Sequence, residues 1–138
     1  MPVVNPPKIA SAELLAVQKV CELSDPYCRN KNTDALFVMA MKENLNWHKT
    51  RNPFYARLLK SNDFDIECLV EPADCAKIPM IPATFFKLHE TVSVNKTDII
   101  LNLTSSGTSG QKSQMFFDDW SIHAPQRMIE FIFDHYGW

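Results

Sequence analysis

The chain has 138 residues, 46% hydrophobic and 22% charged, with 14 Lys and Arg against 16 Asp and Glu for a formal net charge of -2. That is the composition of one folded domain of ordinary size, which excludes global disorder and leaves little room for a second core. Near-neutral charge excludes a broad cationic surface for nucleic acid or anionic lipid, and no apolar run approaches the roughly 20 residues that cross a bilayer.

Met1 to Ile9 has prolines and no signal-peptide apolar core, so the expected setting is cytoplasmic. Ser11 is placed to cap a first helix that carries Leu14, Val17 and Cys21 on one face and ends at Ser24-Asp25-Pro26. A second helix is expected from Ala35 to about His48. It sets Phe37, Met41, Leu45 and His48 on an inward stripe, with Lys42 and Glu43 off it. Asn52-Pro53 is a cap followed by proline at the first helical position, opening a short helix through Phe54, Leu58 and Leu59 that Ser61-Asn62-Asp63 breaks.

From Glu71 the composition changes. Pro72, Pro79 and Pro82 make residues 78–82 an extended, helix-averse crossing, and Phe85-Phe86-Lys87 reads as the edge of a strand. Thr91 to Val94 is expected to be a short strand and Asn95 to Thr97 a turn. Asp98 to Leu103 is a β-branched strand, and Ser113 to Phe117 is another after the loop Ser105 to Lys112. A final helix carries Met128, Ile129, Ile132, Phe133 and Tyr136. The fold class is α/β in an α+β arrangement: N-terminal helices, a small β-hairpin sheet and a C-terminal helix. The expected single domain, 1–138, is mainly helical over 1–70 and a strand-loop-strand-helix unit over 71–138.

Two of the three glycines, Gly107 and Gly110, fall inside Thr104-Ser105-Ser106-Gly107-Thr108-Ser109-Gly110-Gln111-Lys112. Glycine lets a backbone turn its N–H groups toward a ligand, and Ser and Thr hydroxyls add donors, so the segment suits phosphate oxygens; read blandly, it is a flexible hairpin loop. It is not a Walker P-loop. Gln111 separates Gly110 from Lys112, and a strand pattern follows where that motif needs a helix terminus aimed at phosphate.

Thr104 to Gly110 resembles the phosphate-binding signature of the acyl-adenylate-forming superfamily, [ST]-S-G-[ST]-[TS]-G-x-P-K, a hairpin loop between two strands. Taken with Ile78-Pro79-Met80-Ile81-Pro82-Ala83-Thr84-Phe85-Phe86-Lys87, Ser113-Gln114 and Phe117-Asp118, it is similar to the LuxE-like acyl-protein synthetases. These are the fatty-acid-activating subunits of the bacterial luciferase fatty-acid reductase complex and their relatives. The motifs lie between Ile78 and Gly137, and the resemblance before them is faint.

The resemblance implies an ATP-dependent ligase using Mg2+. A carboxylic acid, such as a long-chain fatty acid, is activated as acyl-AMP and the acyl group then passes to a protein thiol. By position, Ser105, Ser106, Gly107, Thr108, Ser109 and Gly110 take the phosphate-loop roles, and Lys112 stands near the family's lysine but in another register. An acyl-acceptor or reductase protein is the implied partner. Because the family's adenine pocket, hinge and catalytic lysine follow this region, the chain is expected to be an N-terminal portion, inactive alone. Phe133, Tyr136 and Trp138 are then expected to be exposed and to favour self-association. The competing expectation is a non-catalytic helical protein-interaction module with a Ser/Gly loop.

The remaining chemistry-bearing residues read as structural. Lys87, His89 and Glu90 follow two phenylalanines at a surface edge, His48, His123 and His135 are helix-surface or satisfied core residues, and Asp118-Asp119 caps the last helix. Cys21, Cys28, Cys68 and Cys75 are expected to be free and mostly buried, and Trp47, Trp120 and Trp138 to be packing groups.

Overall fold

The structure, a computed structural model, describes residues 8–9, 11–105 and 112–137. The Ser11 hydroxyl accepts the Glu13 N–H at 3.2 Å and opens a 3-10 turn, Ala12–Leu14, that leads into α1 (Leu15–Cys21). Seven residues are too few to hold a helix alone. Support comes from Glu43, expected on the solvent side, whose Oε2 accepts the N–H groups of Ala16 at 2.7 Å and Val17 at 3.1 Å. It places negative charge on the positive end of the α1 dipole and satisfies two of its orphan donors.

The second helix, α2 (Lys31–Arg51), starts a turn earlier than its apolar periodicity indicates. Asn30 Oδ1 accepts the N–H groups of Asn32 and Thr33 at 2.9 and 3.1 Å, while Asn30 N–H donates to Thr33 Oγ1 at 2.9 Å. That reciprocal box fixes the start four residues before the expected Ala35. The inward stripe is rotated as well: Val38 and Leu45 are buried and Met41 packs on them, whereas Phe37 is exposed. Asn52 ends α2 and caps α3 (Pro53–Ser61), accepting the Tyr55 N–H at 3.1 Å, as its sequence position indicates. Leu59 of α3 joins Val38, Leu45, Ile66 and Leu69 in the core, with Met41, Tyr55, Phe64 and Ile78 around it.

Beyond Leu69 the chain is fastened by one carboxylate. Asp74 Oδ2 accepts the N–H groups of Val70 at 2.8 Å and Glu71 at 2.9 Å, and Oδ1 takes Lys77 Nζ at 2.7 Å. The bond from Lys77, then those from the two backbone groups, hold the Asp74 carboxyl well below the usual carboxylate range, and the same partnership raises Lys77. A folded pKa below the unfolded one stabilises above the unfolded value of about 3.9 and is lost as pH falls through the folded value. The gap in urea midpoint between the native chain and Asp74→Asn is therefore expected to be widest near neutrality and to narrow below about pH 4. A gap independent of pH would remove the carboxylate's charge from the account.

Residues 78–82 cross without regular structure, as their prolines dictate. Two strand expectations fail after them. Phe85–Leu88 is a single helical turn, α4, with Phe85 stacked on Phe54 of α3 at 4.3 Å between ring centroids. Thr91 to Val94 pairs with no strand among the described residues; it is held by side chains, through His48 to Ser93 and Asn52 to Val92.

The expected hairpin is present. β1 (Ile99–Thr104) and β2 (Gln114–Asp118) pair antiparallel, with Leu101 opposite Phe117, Leu103 opposite Met115 and an irregularity between Ile99 and Leu101. Asp118 caps α5 (Asp119–Tyr136) in a second reciprocal box, its Oδ1 accepting the Ser121 N–H at 2.8 Å and its own N–H donating to Ser121 Oγ at 2.9 Å. Pro125 lies inside α5 and lacks the N–H that would bond the Ser121 carbonyl. Gly137, at φ 69°, ends the helix in the left-handed region that favours glycine.

Arg127 attaches α5 to α1. Only 7% exposed, it donates from Nη1 to the Cys21 carbonyl at 3.3 Å and lies 5.2 Å from the Phe131 ring centroid. The carbonyl end of α1 carries the negative pole of that helix, which offsets part of the cation's desolvation. Its Nε has no acceptor, and no carboxylate pairs with it among the described residues. Met128, Ile129, Ile132, Phe133 and Tyr136 are exposed along α5, and Trp138 is outside the described residues. Helices followed by a two-stranded sheet and a closing helix make this an α+β fold, and no described helix is long and apolar enough to cross a membrane.

Candidate functional site

In sequence the phosphate-loop candidates fall between β1 and β2. Ser105 and Lys112 are described at the two ends of that segment; Ser106, Gly107, Thr108, Ser109 and Gly110 lie outside the described residues. At the base, Ser105 N–H donates to the Ser113 carbonyl and Ser113 N–H to Ser105 Oγ, both at 3.0 Å. The Ser105 backbone donor is thus committed to the hairpin, and only its hydroxyl hydrogen stays available to a ligand. Lys112 is exposed and makes no ion pair among the described residues.

A cavity of about 570 Å3 opens where α2 and α3 face residues 91–94 and the corner between β2 and α5. Its aromatic walls are Trp47, Tyr55, Phe86, Phe116 and Trp120, supplemented by Leu14, Val17, Ile81, Val92 and Val94. Each wall comes from a segment distant in sequence, and the 91–94 segment closes it. His48 Nδ1 and Ser93 Oγ share a hydrogen bond at 2.7 Å, and Asn52 Nδ2 donates to the Val92 carbonyl at 3.4 Å. Burial pushes the His48 pKa below the ordinary imidazole value and the Tyr55 pKa above the ordinary phenol value, so both are uncharged at neutral pH. Ser105 and Lys112 do not line this cavity.

The residues read as structural find structural partners. His89 lies against Phe85 at 4.4 Å between centroids, and Glu90 pairs with Lys96 at 2.6 Å. His123 Nδ1 bonds the Asp119 carbonyl at 2.7 Å, and His135 packs between Tyr27 and Tyr136 at 4.9 and 5.0 Å. All four cysteines are free, but they are not mostly buried: Cys28 and Cys68 are exposed and Cys21 and Cys75 half-buried. Cys28 and Cys68 precede and follow the core-forming helices rather than lying in their buried stripes. Burial pushes the Cys21 thiol up, away from thiolate reactivity.

Among known families, the model described as acyl-protein synthetase, LuxE, matches residues 1–136. The chain belongs to that family. The match begins at the first residue, so it embraces the helical half in which the motifs carried only a faint resemblance. Neither the curated proteins nor the solved structures contain a significant match.

Proposed function

We propose that this chain supplies the phosphate-binding loop for ATP-dependent activation of a carboxylic acid, of which a long-chain fatty acid is the favoured class. The observation that carries this reading is the Ser, Thr and Gly concentration at residues 104–110, in the sequence joining two antiparallel strands, in a member of the acyl-protein synthetase family. In the reaction the acid's carboxylate oxygen attacks the α-phosphorus of ATP, pyrophosphate leaves, and the acyl group of the resulting acyl-AMP passes to a protein thiol with release of AMP.

The chain's own residues hold the nucleotide in this scheme. With the Ser105 N–H committed to Ser113, backbone donors to the β- and γ-phosphates come from residues 106–110. The Ser105 hydroxyl and the Lys112 ammonium, which has no ion pair among the described residues, stand at the two sides. Donors of this kind stabilise the charge that gathers on departing pyrophosphate. Mg2+ accompanies the nucleotide as counter-ion to its phosphates, the usual mode for this cation.

Titration with ATP and Mg2+ is the test. The amide resonances of Ser105 to Gly110 are expected to shift saturably while those of α2 and α3 stay still. An unmoved loop at millimolar nucleotide would sink the phosphate reading and favour the interaction module. Acid-dependent ATP–pyrophosphate exchange by the 138 residues alone is expected to stay near background, since the loop is one part of an active site.

A further inference from the structure

We propose that the cavity between α2, α3, residues 91–94 and the β2–α5 corner binds an uncharged apolar molecule with a single hydrogen-bonding head group, and that it disfavours free carboxylates. Its volume of about 570 Å3 falls within the roughly 300–1,000 Å3 typical of sites that enclose small organic ligands. Five aromatic rings and several branched aliphatic side chains form the walls, which suits an apolar body.

Charge decides against an anion. No lysine or arginine is among the described lining residues, and Asp118 contributes a carboxylate. Arg51, which stacks on the lining residue Trp47 at 3.4 Å, is ion-paired with Glu13. Most polar wall groups are already engaged: Trp120 Nε1 donates to Gln18 Oε1 at 3.3 Å, Asp118 Oδ1 serves Ser121, and the Asn52 amide serves Val92 and Tyr55. Hydrogen-bonding capacity remains on the Asn44 amide and the Thr91 hydroxyl, and on two titratable groups, the Tyr55 hydroxyl and His48 Nε2, none of which has a hydrogen-bond partner among the described residues. Both titratable groups are neutral at physiological pH, so a hydroxyl or carbonyl head satisfies them without bringing an uncompensated charge into an apolar site.

This site needs no nucleotide, so its test is independent of the phosphate loop. The native chain is titrated with 1-decanol and separately with decanoate at pH 8, without ATP, and amide shifts are followed. The expected result is saturable binding of the alcohol at least tenfold tighter than of the carboxylate, with shifts centred on residues 91–94 and 116–121. Tyr55→Phe is expected to weaken the alcohol at least fivefold and leave thermal unfolding nearly unchanged. Val94→Trp, which fills the cavity, is expected to abolish binding, and Tyr55→Phe supplies the comparison if that variant does not fold. Equal affinity for the two probes, shifts centred elsewhere, no saturation, or an unaffected Tyr55→Phe variant would each overturn the proposal.

Discussion

Leu59→Ala is expected to lower the unfolding free energy by about 3–4 kcal/mol, the middle of the range for leucines truncated in packed cores. Leu59 is 2% exposed and sits where α3 meets α2 and the segment at Ile66 and Leu69, so removing its three terminal carbons leaves a void those neighbours cannot all close. In urea the midpoint is expected to fall with little change in slope, since the surface exposed on unfolding stays nearly constant. A loss under about 1 kcal/mol would show that these elements do not share one core.

Asn52→Ala is expected to cost about 2–3 kcal/mol, combining loss of a helix cap with an unmet carbonyl. The residue is 6% exposed, and its side chain accepts the N–H of Tyr55, in the first turn of α3, and donates to the Val92 carbonyl. One residue therefore turns the chain between two helices and holds down the strap over the cavity. Asn52→Asp separates the two jobs: it keeps the acceptor for Tyr55 and loses the donor to Val92, so it should recover roughly half the stability. Equal losses in the two variants, measured by chemical unfolding, would place the whole effect on the strap.

Signals confined to a few adjacent residues were legible before the structure. Ser11, Asn52-Pro53 and Asp118 each mark a helix start because a cap needs only its own side chain and the next turn. The hairpin was legible from a β-branched strand and a second strand pattern flanking a glycine-bearing loop. The start of α2 was not, because the Asn30–Thr33 box precedes the apolar periodicity that announces a helix. Thr91 to Val94 alternates like a strand, yet a strand requires a neighbour, and the segment is held instead by His48 of α2 at the Ser93 hydroxyl and by Asn52, between α2 and α3, at the Val92 carbonyl. Glu43 likewise reads as a surface charge until α1 lays its N-terminus against it. The cavity was beyond sequence reasoning, since its walls are contributed by residues as far apart as Leu14 and Trp120. Of the phosphate loop, composition was legible and the use of Ser105 N–H at the hairpin base was not, because hairpin register decides it.

A guanidinium sealed under α5 with one N–H unanswered is a weak seam as well as a fastening. Water must be stripped from Arg127 before α5 can settle on α1, and little returns beyond one carbonyl bond and the pole of a short helix. Opening there re-hydrates a cation, whereas opening at Leu59 exposes hydrocarbon. Among the described residues α5 thus buries a cation where α2 and α3 bury Val38, Ala40, Leu45 and Leu59, and the β-hairpin packs beside the helix fastened by charge rather than by hydrocarbon.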